Sequence, residues 1–119
     1  MASPTSRTLQ ELKKRGYNAQ VVEKWNSFAK VRIDLFGVID IVACKGSEFG
    51  IWGIQATSTD NMSKRISKAL STPALKTWLM CVGKFAVWGW ALRGERGKRK
   101  AYELKERVIT LSELEDAIP

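Results

Sequence analysis

Two apolar runs, Leu35–Cys44 and Phe49–Thr57, are separated only by Lys45-Gly46-Ser47-Glu48. A glycine-containing connection of that length reverses the chain, so the two runs are expected to pair as an antiparallel hairpin, and the rest of the chain must be arranged around it. One residue is out of place in this pattern. Asp40 interrupts the first run, and a buried carboxylate without a partner costs several kcal/mol, so it needs a metal, hydrogen bonds or a basic partner such as Arg32 or Lys45. Asp34 lies upstream and can approach the same point if Leu35–Gly37 turns the backbone; otherwise it reads as a turn or helix-cap aspartate. On the second run Gln55 and Thr57 share one strand face and Ile54 and Ala56 the other, so Asp40, Gln55 and Thr57 can line one edge.

Around this hairpin the sequence spells out further elements. Residues 5–15 read as a helix capped by Thr5 or Ser6, with Leu9 and Leu12 on one face, Lys13-Lys14-Arg15 at the C-terminal dipole end and Gly16 as the stop. A first strand over Ala19–Trp25 and an irregular basic segment over 26–32 follow. After the hairpin, 58–61 offers N-caps for a helix carrying Met62, Arg65, Ile66, Ala69 and Leu70, and Pro73 opens another that Gly83 closes. Strands over 84–92 and 100–108 and a short helix from Leu111, capped by Thr110 or Ser112, complete the chain. The expected order is αβββα(α)ββ(α): an α/β (α+β) domain with a central mixed sheet flanked by helices, spanning residues 1–119 as one unit.

Composition narrows the chemistry. Lys and Arg number 20 against 12 Asp and Glu, a net charge of +8, which favours an anionic partner. With no histidine, His-based acid–base catalysis, Ser-His-Asp or Cys-His nucleophiles and His-ligated metals are excluded, leaving carboxylates, lysines, hydroxyls or an oxygen-ligated metal. Cys44 and Cys81 sit in apolar patterns and are expected to be buried thiols. No apolar run is long enough to span a membrane and no secretory h-region is visible, so a cytoplasmic protein is expected, or one of the host cytoplasm if phage-encoded, which its compactness suits.

The stretch from Thr8 to Gly83 resembles the PD-(D/E)XK nuclease superfamily, most closely the small archaeal-type Holliday junction resolvases and phage-encoded nuclease-like proteins. The resemblance rests on a first helix ending in Arg15-Gly16-Tyr17, a strand, a basic loop, the Asp40-Ile41-Val42-Ala43 strand, the Ile54-Gln55-Ala56-Thr57 strand and a basic helix. It implies a restriction-endonuclease-like core, and a metal-dependent DNA endonuclease hydrolysing phosphodiester bonds in branched or duplex DNA, with Mg²⁺ or Mn²⁺ as cofactor and a symmetric homodimer as the working form. Asp40 matches the family's first aspartate. Gln55-Ala56-Thr57 stands where the family has (Asp/Glu)-X-Lys, so Gln55 offers a carbonyl oxygen in place of a carboxylate and Thr57 a hydroxyl in place of the lysine. The resemblance therefore implies metal ligation by Asp40 and Gln55 with Asp34 or Glu23 supplying the further carboxylate, and Lys64 or Lys45 as the surrogate ammonium. The early-helix glutamate found in many resolvases has no counterpart in Thr5-Ser6-Arg7-Thr8. The alternative is a catalytically inactive nuclease-fold protein that binds nucleic acid, in which Glu23 is a surface residue paired with Lys24 or Lys45.

Two further groups of residues favour nucleic acid. Lys30 and Arg32 in the basic segment, Lys64, Arg65 and Lys68 on the helix after the hairpin, and Arg93, Arg96, Lys98, Arg99 and Lys100 in the last strand connection are candidate phosphate contacts, with only Glu95 opposing the last group. The five tryptophans are expected mainly in the core: Trp88 and Trp90 on one strand face, Trp78 on a helix face, Trp25 and Trp52 as a cross-strand pair.

Overall fold

The computed structural model describes residues 3–94, 97 and 99–117. The first helix, α1 (Pro4–Lys14), starts one residue earlier than expected, because Pro4 suits the first helical turn and Ser3 caps it, its Oγ accepting the Ser6 N–H at 3.1 Å. Thr8 and Leu12 are its buried face, and Gly16, at φ +92, ends it in a conformation glycine adopts freely.

A five-stranded mixed sheet follows, in the spatial order β1 (Asn18–Val21), β4 (Ile41–Lys45), β5 (Glu48–Ser58), β6 (Gly83–Arg93), β7 (Ala101–Ile109). The expected hairpin is β4–β5, antiparallel with Ile41 opposite Ile54 and Ala43 opposite Trp52. β5 and β6 run parallel, joined by a 3₁₀ turn (Thr59–Asn61), α2 (Met62–Leu70) and α3 (Pro73–Met80), the crossover that a parallel pair requires. β7 returns antiparallel to β6 and leads into α4 (Leu111–Ala117), whose first turn is closed by Glu113 accepting the Thr110 N–H at 2.7 Å. The strands carry two apolar faces. Leu12 of α1 covers Ile41, Ala43, Ile54, Ala86 and Trp88, while Met62, Ala69, Leu75 and Leu114 from α2, α3 and α4 pack with Ile39, Phe85 and Val87 on the other side. The molecule is thus an α+β domain with helices on both faces of one sheet.

Three expectations are corrected. The single strand over Ala19–Trp25 is broken: the Val22 N–H donates to Asp40 O at 2.8 Å, and the chain then leaves the sheet as β2 (Lys24–Asn26) paired antiparallel with β3 (Val31–Ile33) in a separate ribbon, so the segment expected to be irregular is half strand. Leu35–Cys44 is not one strand. Phe36 and Gly37 have φ +55 and +80, and Leu35 and Ile39 exchange backbone hydrogen bonds at 2.9 and 3.0 Å around that reversal, so β4 begins only at Ile41. Cys44 and Cys81 are exposed free thiols, the first on β4 beside a register shift, the second just beyond α3, where neither apolar layer reaches.

The tryptophans divide similarly. Trp88 and Trp90 share a face as expected, Trp88 Nε1 donating to Glu106 and Trp90 Nε1 to the buried Thr8 hydroxyl at 2.9 Å. Trp78 is half-buried against the α2–α4 side of the core. Trp25 and Trp52 do not pair, because Trp25 stands across from Arg32 in the ribbon and Trp52 across from Ala43 in the sheet. Among the described residues no helix is long and apolar enough to cross a membrane.

β5 passes under the 35–40 turn with no space to spare. A Cβ on Gly53 would lie 2.6 Å from Ile39 Cδ1 and 3.3 Å from Trp78 Nε1. Gly53→Ala is therefore expected to cost about 1–3 kcal/mol, read as a lower urea midpoint at unchanged slope.

Candidate metal centre and its cleft

The breaks in the expected strands build the site. Glu23 is the residue before β2, Asp34 the residue after β3, and the tight turn at Phe36–Gly37 returns the chain so that Asp40 meets Asp34 just before β4 begins. One carboxylate oxygen from each of Glu23, Asp34 and Asp40 lies within 4.8 Å of the other two. Gln55, on β5, reaches across: its Nε2 donates to Asp34 Oδ2 at 3.2 Å and to Asp40 Oδ2 at 3.0 Å, and the Ala56 N–H donates to the same Asp40 oxygen at 2.9 Å.

Asp40 is buried, 4 % exposed, and among the described residues no ion pair reaches it. Neither Arg32 nor Lys45 is its counter-ion. Arg32 Nη1 pairs instead with Glu23 at 2.9 Å, and Lys45 lies at the far end of β4, over the Tyr17 ring. Burial pushes the Asp40 carboxyl up to about 8, reinforced by its hydrogen bond to Asp34 and by the charges of Asp34 and Glu23, while the Ala56 N–H opposes the rise. At neutral pH, Asp40 therefore favours its protonated form.

Gln55 supplies the feature that points to a ligand. It is 2 % exposed, and its Oε1 is buried with no hydrogen-bond partner. Two carboxylates fix the amide with its NH₂ group toward them, which leaves the carbonyl orphaned at a desolvation cost. Rotating the amide by half a turn would aim Oε1 at the carboxylates, an arrangement that is repulsive unless a proton or a cation lies between them. Three carboxylates and an amide carbonyl form a hard-oxygen donor set of the kind that suits Mg²⁺ or Mn²⁺. An octahedral Mg²⁺ ion brings its ligand oxygens to within roughly 3–4 Å of one another, so the cluster needs only a slight contraction. The residues fit a divalent cation.

The cluster opens into a cleft of about 710 Å³ between the N-terminus of α1 and the α2 helix, lined also by Ser3, Thr5, Ser6, Arg32, Arg65 and Lys68. Basic side chains and a helix N-terminus thus line the same cleft as the carboxylates, a setting that suits an anion. A second cleft of about 610 Å³, beside Tyr17 and Cys44, is lined by no carboxylate.

Not every expected residue arrives here. Arg65 and Lys68 line the cleft and Lys64, exposed on the same helix, does not. Thr57 is buried two residues beyond Gln55 and is not part of the lining. Lys30 is exposed at the ribbon tip. Arg93, Arg99 and Lys100 are exposed at the β6–β7 connection. Since Gln55 pairs with Val87, Arg93 stands six residues, roughly 20 Å, further along β6. Arg96 and Lys98 lie outside the described residues. The hydroxyls of α1 carried no charge or spacing to mark them as cleft residues; only Pro4 and the string of small polar residues signalled a helix start.

Compared with protein-family models, curated proteins and solved structures, the chain matches none of them, so the functional reading rests on the cleft itself.

Proposed function

We propose that this protein is a metal-dependent DNA endonuclease of the Holliday-junction-resolvase-like type, hydrolysing phosphodiester bonds in branched or duplex DNA. The observation that carries the reading is the convergence of Glu23, Asp34, Asp40 and the orphaned Gln55 carbonyl at the floor of a cleft whose walls bear Arg32, Arg65 and Lys68. A divalent ion bound there would supply a water of lowered pKa and neutralise charge on the reacting phosphate. The chain's own groups do the rest. Glu23, Asp34, Asp40 and the Gln55 carbonyl would hold the ion, Asp40 having lost its proton to solvent and the amide having turned inward. Arg65 and Lys68 hold the phosphate oxygens and offset the charge that accumulates on them in the transition state. Lys68 takes the part of the lysine missing at Thr57, in place of the sequence candidates Lys64 and Lys45. Lys68→Met is thus expected to lower the cleavage rate about 100-fold, and Lys64→Met to leave it within a few-fold, in single-turnover assays.

The alternative, a nuclease-like protein that binds DNA without cutting it, is favoured by Gln55 and Thr57 standing where the resemblance calls for an acid and a lysine. The deciding assay offers end-labelled linear, flapped and four-way-junction DNA with Mg²⁺ or Mn²⁺ at two salt concentrations. Products on branched DNA support the endonuclease; tight, salt-sensitive binding without products under either metal supports the alternative. If junctions are cut on two strands, the two incisions call for a two-fold symmetric homodimer, which sedimentation at assay concentrations reads directly.

A further inference from the structure

The β2–β3 ribbon grows out of the carboxylate cluster, with Glu23 at the foot of one strand and Asp34 at the foot of the other. Its tip is shaped by Asn26, whose Oδ1 accepts the N–H groups of Phe28 and Ala29 at 3.0 Å each, and by Lys30 at φ +54. That turn displays Phe28 with its side chain 100 % exposed, and Trp25 further down the ribbon is 63 % exposed. Two large aromatic side chains, one on the turn and one on β2, thus stand outside the core with most of their surface in solvent. Apolar surface presented in this way marks a contact with something else. The charge nearby identifies the partner: Lys24 and Lys30 are exposed on the same ribbon, and Arg32 stands directly across from Trp25. Aromatic faces interleaved with cations are the means by which proteins hold unstacked bases and their phosphates.

We propose that this ribbon is a finger that grips an unpaired nucleotide three to four steps from the scissile phosphate, Phe28 and Trp25 packing on the base and Lys24 and Lys30 on the flanking phosphates. The inference rests on the endonuclease reading and narrows its substrate to DNA with a branch, flap or gap. A base inside an intact duplex offers no free face. Reach sets the distance. The tip lies three to four residues from the carboxylates, roughly 10–13 Å at strand rise, which spans about three or four nucleotide steps of a stacked strand.

The test measures binding in metal-free buffer to flap DNA carrying 2-aminopurine in its single-stranded arm, three to four nucleotides from the branch, with duplex of the same sequence as reference. Wild type is expected to bind the flap more tightly than the duplex and to change the 2-aminopurine fluorescence. Phe28→Ala and Trp25→Ala should each weaken flap binding about tenfold, with duplex binding and melting temperature unchanged, and Phe28→Tyr should restore it. If wild type binds and cuts DNA while both alanine variants keep full flap affinity, the finger is refuted and the endonuclease reading stands. If wild type neither binds nor cuts any DNA, the endonuclease reading fails and the finger with it. If Phe28→Ala turns a dimer into a monomer in sedimentation while flap affinity per protomer is unchanged, the ribbon joins two copies of the chain, and the proposal is overturned.

Discussion

Asp40→Asn is expected to abolish metal-dependent cleavage, with a loss of at least about 10³-fold, while making the metal-free protein more stable. The two effects have one cause. The carboxylate that would bind the cation is enclosed by the sheet and faces two other acids, so it is costly to ionise in the folded state and costs far less in the unfolded chain. The linkage fixes the sign. The folded pKa of about 8 lies above the ordinary aspartate value of 3.8, so between those pH values the folded protein binds more protons than the unfolded one. The contribution of Asp40 to stability is therefore full below about pH 4, falls as the pH rises towards 8 and is flat above it. Wild type should lose stability across that window, on the order of a few kcal/mol, as seen in urea midpoints at pH 5 and pH 8. Asparagine keeps the acceptor for the Ala56 N–H and has no proton to lose, so Asp40→Asn should show a much flatter pH profile and a higher midpoint at pH 8. A variant less stable than wild type at pH 8 would mean that Asp40 is not held in a repulsive cluster.

The second large effect concerns metal affinity. Because Asp40 carries a proton below about pH 8, a cation must displace it, and Mg²⁺ affinity should rise about tenfold per pH unit from pH 6 to pH 8, then level off. Calorimetric titrations in buffers of different ionisation enthalpy should report about one proton released per site at pH 7. The same coupling appears in stability: saturating Mg²⁺ should raise the melting temperature more at pH 8 than at pH 6, reversing the trend of the metal-free protein. Affinity that does not change with pH would exclude Asp40 from the ligand set.

Much of this site could be read from the sequence, for a simple reason. An aspartate inside Ile39-Asp40-Ile41-Val42 has few physical outcomes, and a four-residue connection to the next apolar run leaves Gln55 on the adjacent strand almost by arithmetic. The helices around Leu12, Met62–Leu70 and Pro73 were equally legible, since spacing, caps and stops agreed. Other features depended on contacts between distant residues. Nothing local separates Val21, in the sheet, from Lys24, in the ribbon; the Val22 N–H bond to Asp40 O continues the ladder by one step, and the chain before Asp40 turns away through Phe36–Gly37 and offers no further partner. Cys44 and Cys81 have apolar neighbours in sequence but lie beyond the reach of either helical layer. Charge alone gave no distinction between Lys64 and Lys68, which are one helical turn apart; only the direction of α2 relative to the cleft does so. The position of Arg93, Arg99 and Lys100 well along β6 from the carboxylates likewise follows from strand register, not from composition.

The central claim is that Glu23, Asp34, Asp40 and Gln55 form a divalent-metal centre. Titration of Mn²⁺ into the protein at pH 8, followed by electron paramagnetic resonance of the free ion, tests it most directly. The account predicts saturable binding of one or two Mn²⁺ per chain that is lost in Asp40→Asn, weakened in Gln55→Leu and unchanged in Lys64→Met. Binding that does not saturate, or that survives Asp40→Asn at full strength, would contradict it.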